Sequence, residues 1–424
     1  RDGLPSLRAG LPDPGSRTVR VLHADAGAMA VVARRSIAAG DHGRRGTRLA
    51  SRLASTWRDR EEEAFALLVS ALPYGHGDTF GHLGELLPYV RHADRPGIAA
   101  EVLPHARDTD HYRSRSARMF LGQLGDERVE GLLPDHEPGA VPDSEDDADV
   151  LGELAVATGR LDLWRSVLRS SHLREANRAL DALSPAVTGE LRPELVALLR
   201  ARKHVWAAAT ALAEAGAAAP DVMAALTEIS REPDGYEPPA DAHNSWDVWA
   251  RQDRGTARTG NQIAAAVALA RLGGPSEPAL ALLAQGPVGC SPWPGTSARD
   301  LGPAGRPLLP RIEAALEEPA PATRLWAAEV HRRITRGPYA RCVPVLTDLV
   351  RTRPCDEAHR AAPLPAALAA LAELGVTPHG IRPHLRTWAD SERRIIPCYG
   401  RHGPLDDDVL REAARAHLSL LGDR

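Results

Sequence analysis

Several groups of residues in this chain have the types that chemistry uses, and their spacing decides what each can do. His76, Asp78, His82, His92, Asp94, His105, Asp108, Asp110 and His111 fall in one stretch. Metal centres bring imidazole and carboxylate together at fixed separations. Here His76 and His82 stand six apart, off one helical face, and Pro88 and Tyr89 occupy the positions one turn before His92. No H-E-x-x-H occurs. These residues therefore read as surface and capping groups in Pro/Gly-rich turns, and no metal or cofactor is expected. A second group, Trp246-Asp-Val-Trp249-Ala-Arg251-Gln-Asp-Arg254, sets two indoles three apart among charges of both signs. That composition suits an aromatic anchor with a charged rim for a protein or peptide partner; its bland alternative is a satellite cluster covering the edge of a core. Gly289-Cys-Ser-Pro-Trp-Pro-Gly295 approaches a nucleophile elbow but has Trp293 where glycine belongs and no strand before it, so it reads as a loop. Gly75-His-Gly-Asp-Thr-Phe-Gly81 misses the dinucleotide fingerprint by one residue and reads as a turn. The acidic run from Asp135 to Asp149 lacks calcium-loop spacing and reads as a solvated loop whose last carboxylates sit at a helix N-terminus.

The basic residues exclude further chemistries. Of 52 Lys and Arg, only Lys203 is lysine. It follows Arg202, so the chain has neither a Walker A loop nor the strand lysine of a protein kinase. A Schiff base could use only Lys203, which sits in Arg-Lys-His and not in an apolar setting. The net charge of −4 hides an asymmetry: residues 1–60 carry twelve Arg against five Asp and Glu. That end reads first as a solvated lead-in, with an anion- or nucleic-acid-facing patch as the alternative. Cys290, Cys342, Cys355 and Cys398 form no C-x-x-C pair. They are expected to be reduced, mostly buried thiols in a cytoplasmic protein. No membrane span is expected, since the apolar run Val205–Leu226 is broken by Glu214, Pro220 and Asp221.

The elements that must position these residues are helical. Apolar residues recur at three and four: Leu308, Ile312, Leu316; Trp326, Val330, Ile334; Val343, Leu346, Val350; Leu364, Leu368, Leu371, Leu374; Ile381, Leu385, Trp388. A helix is also expected over Glu175–Leu183, ending at Ser184. Glycine closes successive helices at Gly125, Gly159, Gly216, Gly273, Gly337, Gly375 and Gly422, with proline often just beyond. Three of the intervals, 34, 38 and 47 residues, are near the length of a helix-pair repeat. The longer ones hold an added helix or Pro-, Gly- and Trp-rich insertions at 232–259 and 286–302. Strand signals are confined to one ambiguous pair, Thr18–Leu22 with Ala28–Val32.

Leu301-Gly-Pro-Ala-Gly-Arg-Pro-Leu-Leu-Pro-Arg-Ile312, followed by Arg324-Leu-Trp-Ala-Ala328 and Arg333-Ile-Thr-Arg-Gly337, resembles a bacterial HEAT repeat. Ala264–Gly273 and Ala366–Gly375 are similar to the alanine-rich end of that family's first helix. The resemblance covers about 115–424, is weaker over 46–114, and leaves residues 1–45 as a poorly defined lead-in to a repeat region at 46–424. It implies an all-α fold, a right-handed superhelical α-solenoid of HEAT-like helix pairs. Stacked pairs bury a continuous thin core, which fits the 4% aromatic content. The expected function is a non-catalytic scaffold whose concave face binds a protein or peptide through Trp246, Trp249, Arg251 and Arg254. Nucleic acid is a lesser alternative partner. The resemblance also admits an enzyme, an alkylpurine DNA glycosylase or a bilin-lyase-like protein. A chain that begins at Arg1 and not Met admits a third reading, the C-terminal sensor of a longer protein.

Overall fold

The computed structural model describes residues 25–40, 44–74, 77–133, 140–142, 144–170, 180, 183–231, 254–285, 298–336, 341–351, 363–377, 380–394 and 403–422. Among them the chain is all-helical, with helices packed in pairs and no strand. It divides into two compact units, one made of residues 1–126 and 354–424, the other of 127–353.

The first unit holds α1 (Ala26–Ala38), α2 (Arg45–Thr56), α3 (Glu61–Ser70), α4 (Gly77–Leu86), α5 (Arg95–Val102) and α6 (His111–Leu124). Three helices from the far end of the chain complete it: α18 (Pro363–Glu373), α19 (Arg382–Asp390) and α20 (Gly403–Leu420). Residues 28–32, one half of the ambiguous strand candidate, lie inside α1; the other half, 18–22, lies outside the described residues. Alanine at 26, 28, 30 and 33 favours helix over strand, and the Asp25 side chain caps its N-terminus by accepting from Ala28 N–H at 3.1 Å. Gly77, read as part of a turn, opens α4. α1 packs on α2 and α2 on α3, α4 and α5 pack on α6, and α20 lies against α18, α19 and α2. The core includes Met29, Leu53, Leu68, Leu83, Phe120, Leu385 and Leu410.

The second unit holds α7 (Glu145–Thr158), α8 (Leu161–Arg169), α9 (Pro185–Glu190), α10 (Arg192–Arg200), α11 (Val205–Glu214), α12 (Pro220–Ser230) and α13 (Arg254–Arg271). It continues with α14 (Glu277–Gln285), a run of 3-10 turns over Ala298–Leu308, α15 (Leu309–Ala315), α16 (Pro321–Thr335) and α17 (Cys342–Arg351). α11 and α12 both pack on α13, and α15 and α17 both pack on α16. Small side chains make the closest packing possible. Ala207–Ala209 on α11 and Ala264–Ala266 on α13 are all at most 1% exposed. The stripes expected from sequence face inward at Leu308, Ile312, Leu316, Val330, Ile334, Leu346 and Val350. Ser144 caps α7, and Glu145, Asp146 and Asp147 fill its first turn, as the acidic run implied. Asp147 and Asp149 are nevertheless buried, not solvated. Ser184, expected to close a helix over Glu175–Leu183, caps the N-terminus of α9 by accepting from Val187 N–H; residues 175–179 and 181–182 lie outside the described residues.

Gly125, Gly159, Gly216, Gly273, Gly375 and Gly422 all take positive φ, as helix-ending glycines do. The exception is α16. Its left-handed cap is Arg336 at φ 47°, one residue before Gly337, which is outside the described residues.

Candidate functional site

Trp246, Trp249 and Arg251 lie outside the described residues. Arg254 is the first residue of α13. The segment that carries the two tryptophans thus leaves α12 after Ser230 and returns at α13, two helices packed against each other.

Within the second unit, α15, α16 and α17 enclose an open groove. Its floor is apolar: Leu316, which is buried, with Pro344 and Val345. Its rim is charged with both signs. Arg324 Nη1 reaches Asp348 Oδ2 at 2.7 Å, and Arg341 Nη1 reaches Glu313 Oε2 at 2.8 Å. These pairs follow from helix packing: α15 and α17 both pack on α16, and the Arg341–Glu313 pair links the start of α17 to α15. A second groove lies where α8 meets α10, floored by Leu168, Pro193, Ala197 and Leu198. Its rim carries Arg169, Glu194 and Lys203, with Arg169 Nη2 at 3.2 Å from Glu194 Oε1. The chain's one lysine therefore borders a groove.

Beside the first groove is a constellation that the sequence did not signal. Cys342 opens α17, its Sγ 3.5 Å from His331 Nδ1, and His331 Nε2 lies 3.7 Å from Glu313 Oε1. Thiol, imidazole and carboxylate follow one another in the order of a nucleophilic triad. The environment opposes that use. Cys342 is 1% exposed and lies 3.6 Å from the Ala328 carbonyl as a weak S–H donor. Burial pushes its thiol up to about 11, so it stays protonated near neutrality. It is a free, buried cysteine, as expected; Cys290, Cys355 and Cys398 lie outside the described residues.

The first unit holds a buried ionic cluster built from both ends of the chain. Arg58 Nε donates to Asp407 Oδ2 at 2.6 Å, and its Nη1 to the Trp388 carbonyl at 2.6 Å. Arg394 donates to Glu61, to Asp408 at 3.2 Å and to the Ala54 carbonyl at 2.8 Å. Tyr89 O–H donates to Asp408 at 2.6 Å. Backbone bonds Arg58 N–H to Glu392 O at 2.9 Å and Arg394 N–H to Thr56 O at 3.0 Å form a short bridge beside it. Burial raises the Glu61 carboxyl above its ordinary range, and burial with the Asp408 bond raises the Tyr89 phenol. Each carboxylate faces a guanidinium, so the cluster is a structural clasp. Residues more than three hundred positions apart carry no local signal of such pairing.

The histidine stretch is spread over helices as well as turns: His82 is half-buried within α4, and His76 lies outside the described residues. His82 Nδ1 sits 3.2 Å from Ser51 Oγ, His105 Nδ1 2.7 Å from Arg113 Nη2, and Asp110 caps α6. Among the described residues no group of three or more His, Cys, Asp or Glu could hold a metal ion. No described helix is long and apolar enough to cross a membrane. No family model, curated protein or solved structure matches the chain, and the structure establishes an all-helical protein of paired helices without identifying a family.

Proposed function

We propose that this protein is a non-catalytic scaffold that binds a protein or peptide partner, with HEAT-like helix pairs stacked as a right-handed superhelical α-solenoid within the second unit, residues 127–353. The observation that supports the reading is the groove of the second unit, with Leu316, Pro344 and Val345 below and the Arg324–Asp348 and Arg341–Glu313 pairs above. Apolar floor and polar rim are the anatomy of a protein-binding surface. A peptide that lays apolar residues on Val345 can exchange its own charges with rim pairs that are solvent-exposed and so worth little to the fold. Trp246, Trp249, Arg251 and Arg254 supply the anchor cluster, in a long segment of the kind that repeat proteins use for binding.

The test is affinity capture with the tagged full chain, comparing wild type with Val345→Glu and with Trp246→Ala/Trp249→Ala. A protein retained by wild type and lost, by at least about tenfold, with either variant of unchanged melting temperature is the expected result. Equal retention by all three contradicts the binding assignment.

A further inference from the structure

The first two helices carry a charge distribution that peptide binding in the second unit does not use. The described residues of the hairpin, 26–40 and 44–56, contain six arginines and neither Asp nor Glu. Two are neutralised from outside: Arg34 pairs with Glu63 at 3.3 Å and Arg44 with Asp78. Arg44, Arg48 and Arg52 recur every four residues, and Arg45 stands three before Arg48, so all four lie along one side of the start of α2. Arg48 and Arg52 are exposed. From Arg44 to Arg52 the row spans about 12 Å at ~1.5 Å per residue. Ser51 and His82, bonded at 3.2 Å, flank it, and Glu85 lies 3.6 Å from His82 as the acid on that border.

At its Arg44 end the row meets an aromatic ring. Asp78 accepts from Arg44 through one oxygen and from Tyr112 O–H at 3.1 Å through the other. A Cβ at Gly77 would run into the Tyr112 ring, so glycine there leaves the ring room to lie against α4. The bond to Asp78 anchors the ring at its hydroxyl, and Tyr112 remains 56% exposed.

We propose that the row Arg44, Arg45, Arg48 and Arg52, with Tyr112 at its end, binds single-stranded nucleic acid. Guanidinium groups match phosphate oxygens in charge and in forked geometry. A cationic track that leads to an exposed ring, held at its hydroxyl, suits an unstacked base, which gains by stacking. An acidic polypeptide would use the charges and leave the ring idle. A duplex keeps its bases stacked and cannot use the ring either.

The test is fluorescence anisotropy of the full chain with a labelled oligothymidylate and the matching oligouridylate, titrated from about 50 to about 200 mM salt. Three phosphate contacts, at Arg45, Arg48 and Arg52, predict a slope of log K against log salt of about −2. Arg48→Glu/Arg52→Glu is expected to weaken binding at least tenfold at the lower salt and to flatten the slope by about 1.4. Tyr112→Ala is expected to weaken it between about 5-fold and 150-fold with the slope unchanged. Both variants change exposed side chains, and unaltered melting temperatures confirm that they fold. Absence of binding at about 50 mM salt, or affinity unchanged in both variants, overturns the proposal. Equal affinity for the duplex, or equal competition by polyglutamate at matched charge, overturns it in favour of a general polyanion surface.

Discussion

At the scale of single residues, burial decides what each ionisable group is worth. The Arg58 and Asp407 side chains are at most 1% exposed and 2.6 Å apart. Removing one partner of such a pair strands the other charge in a low-dielectric core. Asp407→Ala is therefore expected to destabilise the first unit by about 3–5 kcal/mol in urea unfolding. Arg411→Ala breaks a pair with Asp59, 73% exposed and 3.0 Å away; it should cost less than about 1 kcal/mol. A similar cost for both would refute the contrast. His417 gives a pH signature. Its Nε2 donates to the Leu368 carbonyl at 2.9 Å, and its Nδ1 accepts from the Thr377 hydroxyl at 3.1 Å, so the ring is held neutral. Burial lowers its pKa below the ordinary value near 6.5. The unfolded chain then binds the proton more readily than the folded one. The stabilisation is complete above the unfolded pKa and is lost as pH falls below it. Melting temperature should drop more steeply between pH 7 and about pH 5 in wild type than in His417→Gln. Parallel curves would show that His417 is not the group responsible. None of this pairing was legible in the sequence, where Arg58 and Asp407 stand 349 positions apart. Periodicity marks which face of a helix is buried but not what lies across from it.

At the scale of elements, far more could be read beforehand. The stripes through Ile312, Val330, Leu346 and Leu385 face the interior as expected, because one apolar side must be buried whichever helix covers it. Six helix-ending glycines adopt the left-handed conformation. Ala28–Val32 is ambiguous in sequence because a short apolar run has no decisive period, and its alanines tip it to helix. The α16 terminus was misplaced by one residue, with Arg336 adopting φ 47° ahead of Gly337. An L residue there bears a steric cost that glycine lacks. Arg336→Gly should leave stability unchanged or raise it by up to about 1 kcal/mol, measured by thermal unfolding. A loss above that size would mean that the arginine side chain holds the turn. The alanine-lined contact of α11 with α13 yields the opposite sign. Ala265 is fully buried on α13, which packs against α11 and α12. Ala265→Leu is expected to cost about 1–3 kcal/mol by overpacking.

At the scale of the whole molecule, the first unit is discontinuous in sequence. Residues 354–424 complete the core begun by 1–126. A stack in which each pair touches only its sequence neighbours would not place α20 on α2. The sequence concealed this because amphipathic helix pairs look alike wherever in the chain they occur. Removing residues 354–424 should therefore strip α2 and α3 of the Arg394 and Asp407 contacts and of amide protection in hydrogen exchange. Retained protection over 45–70 would show that these helices fold without them. The same scale carries the functional claim, for a scaffold acts through an assembled surface and not through one reacting group. The most direct measurement places a photo-activated cross-linking residue at Val345, in the second unit's groove, and as a control at Val156, an exposed position on α7. The account predicts a discrete protein adduct at 345 and none at 156; adducts at neither position, or the same adducts at both, would contradict it.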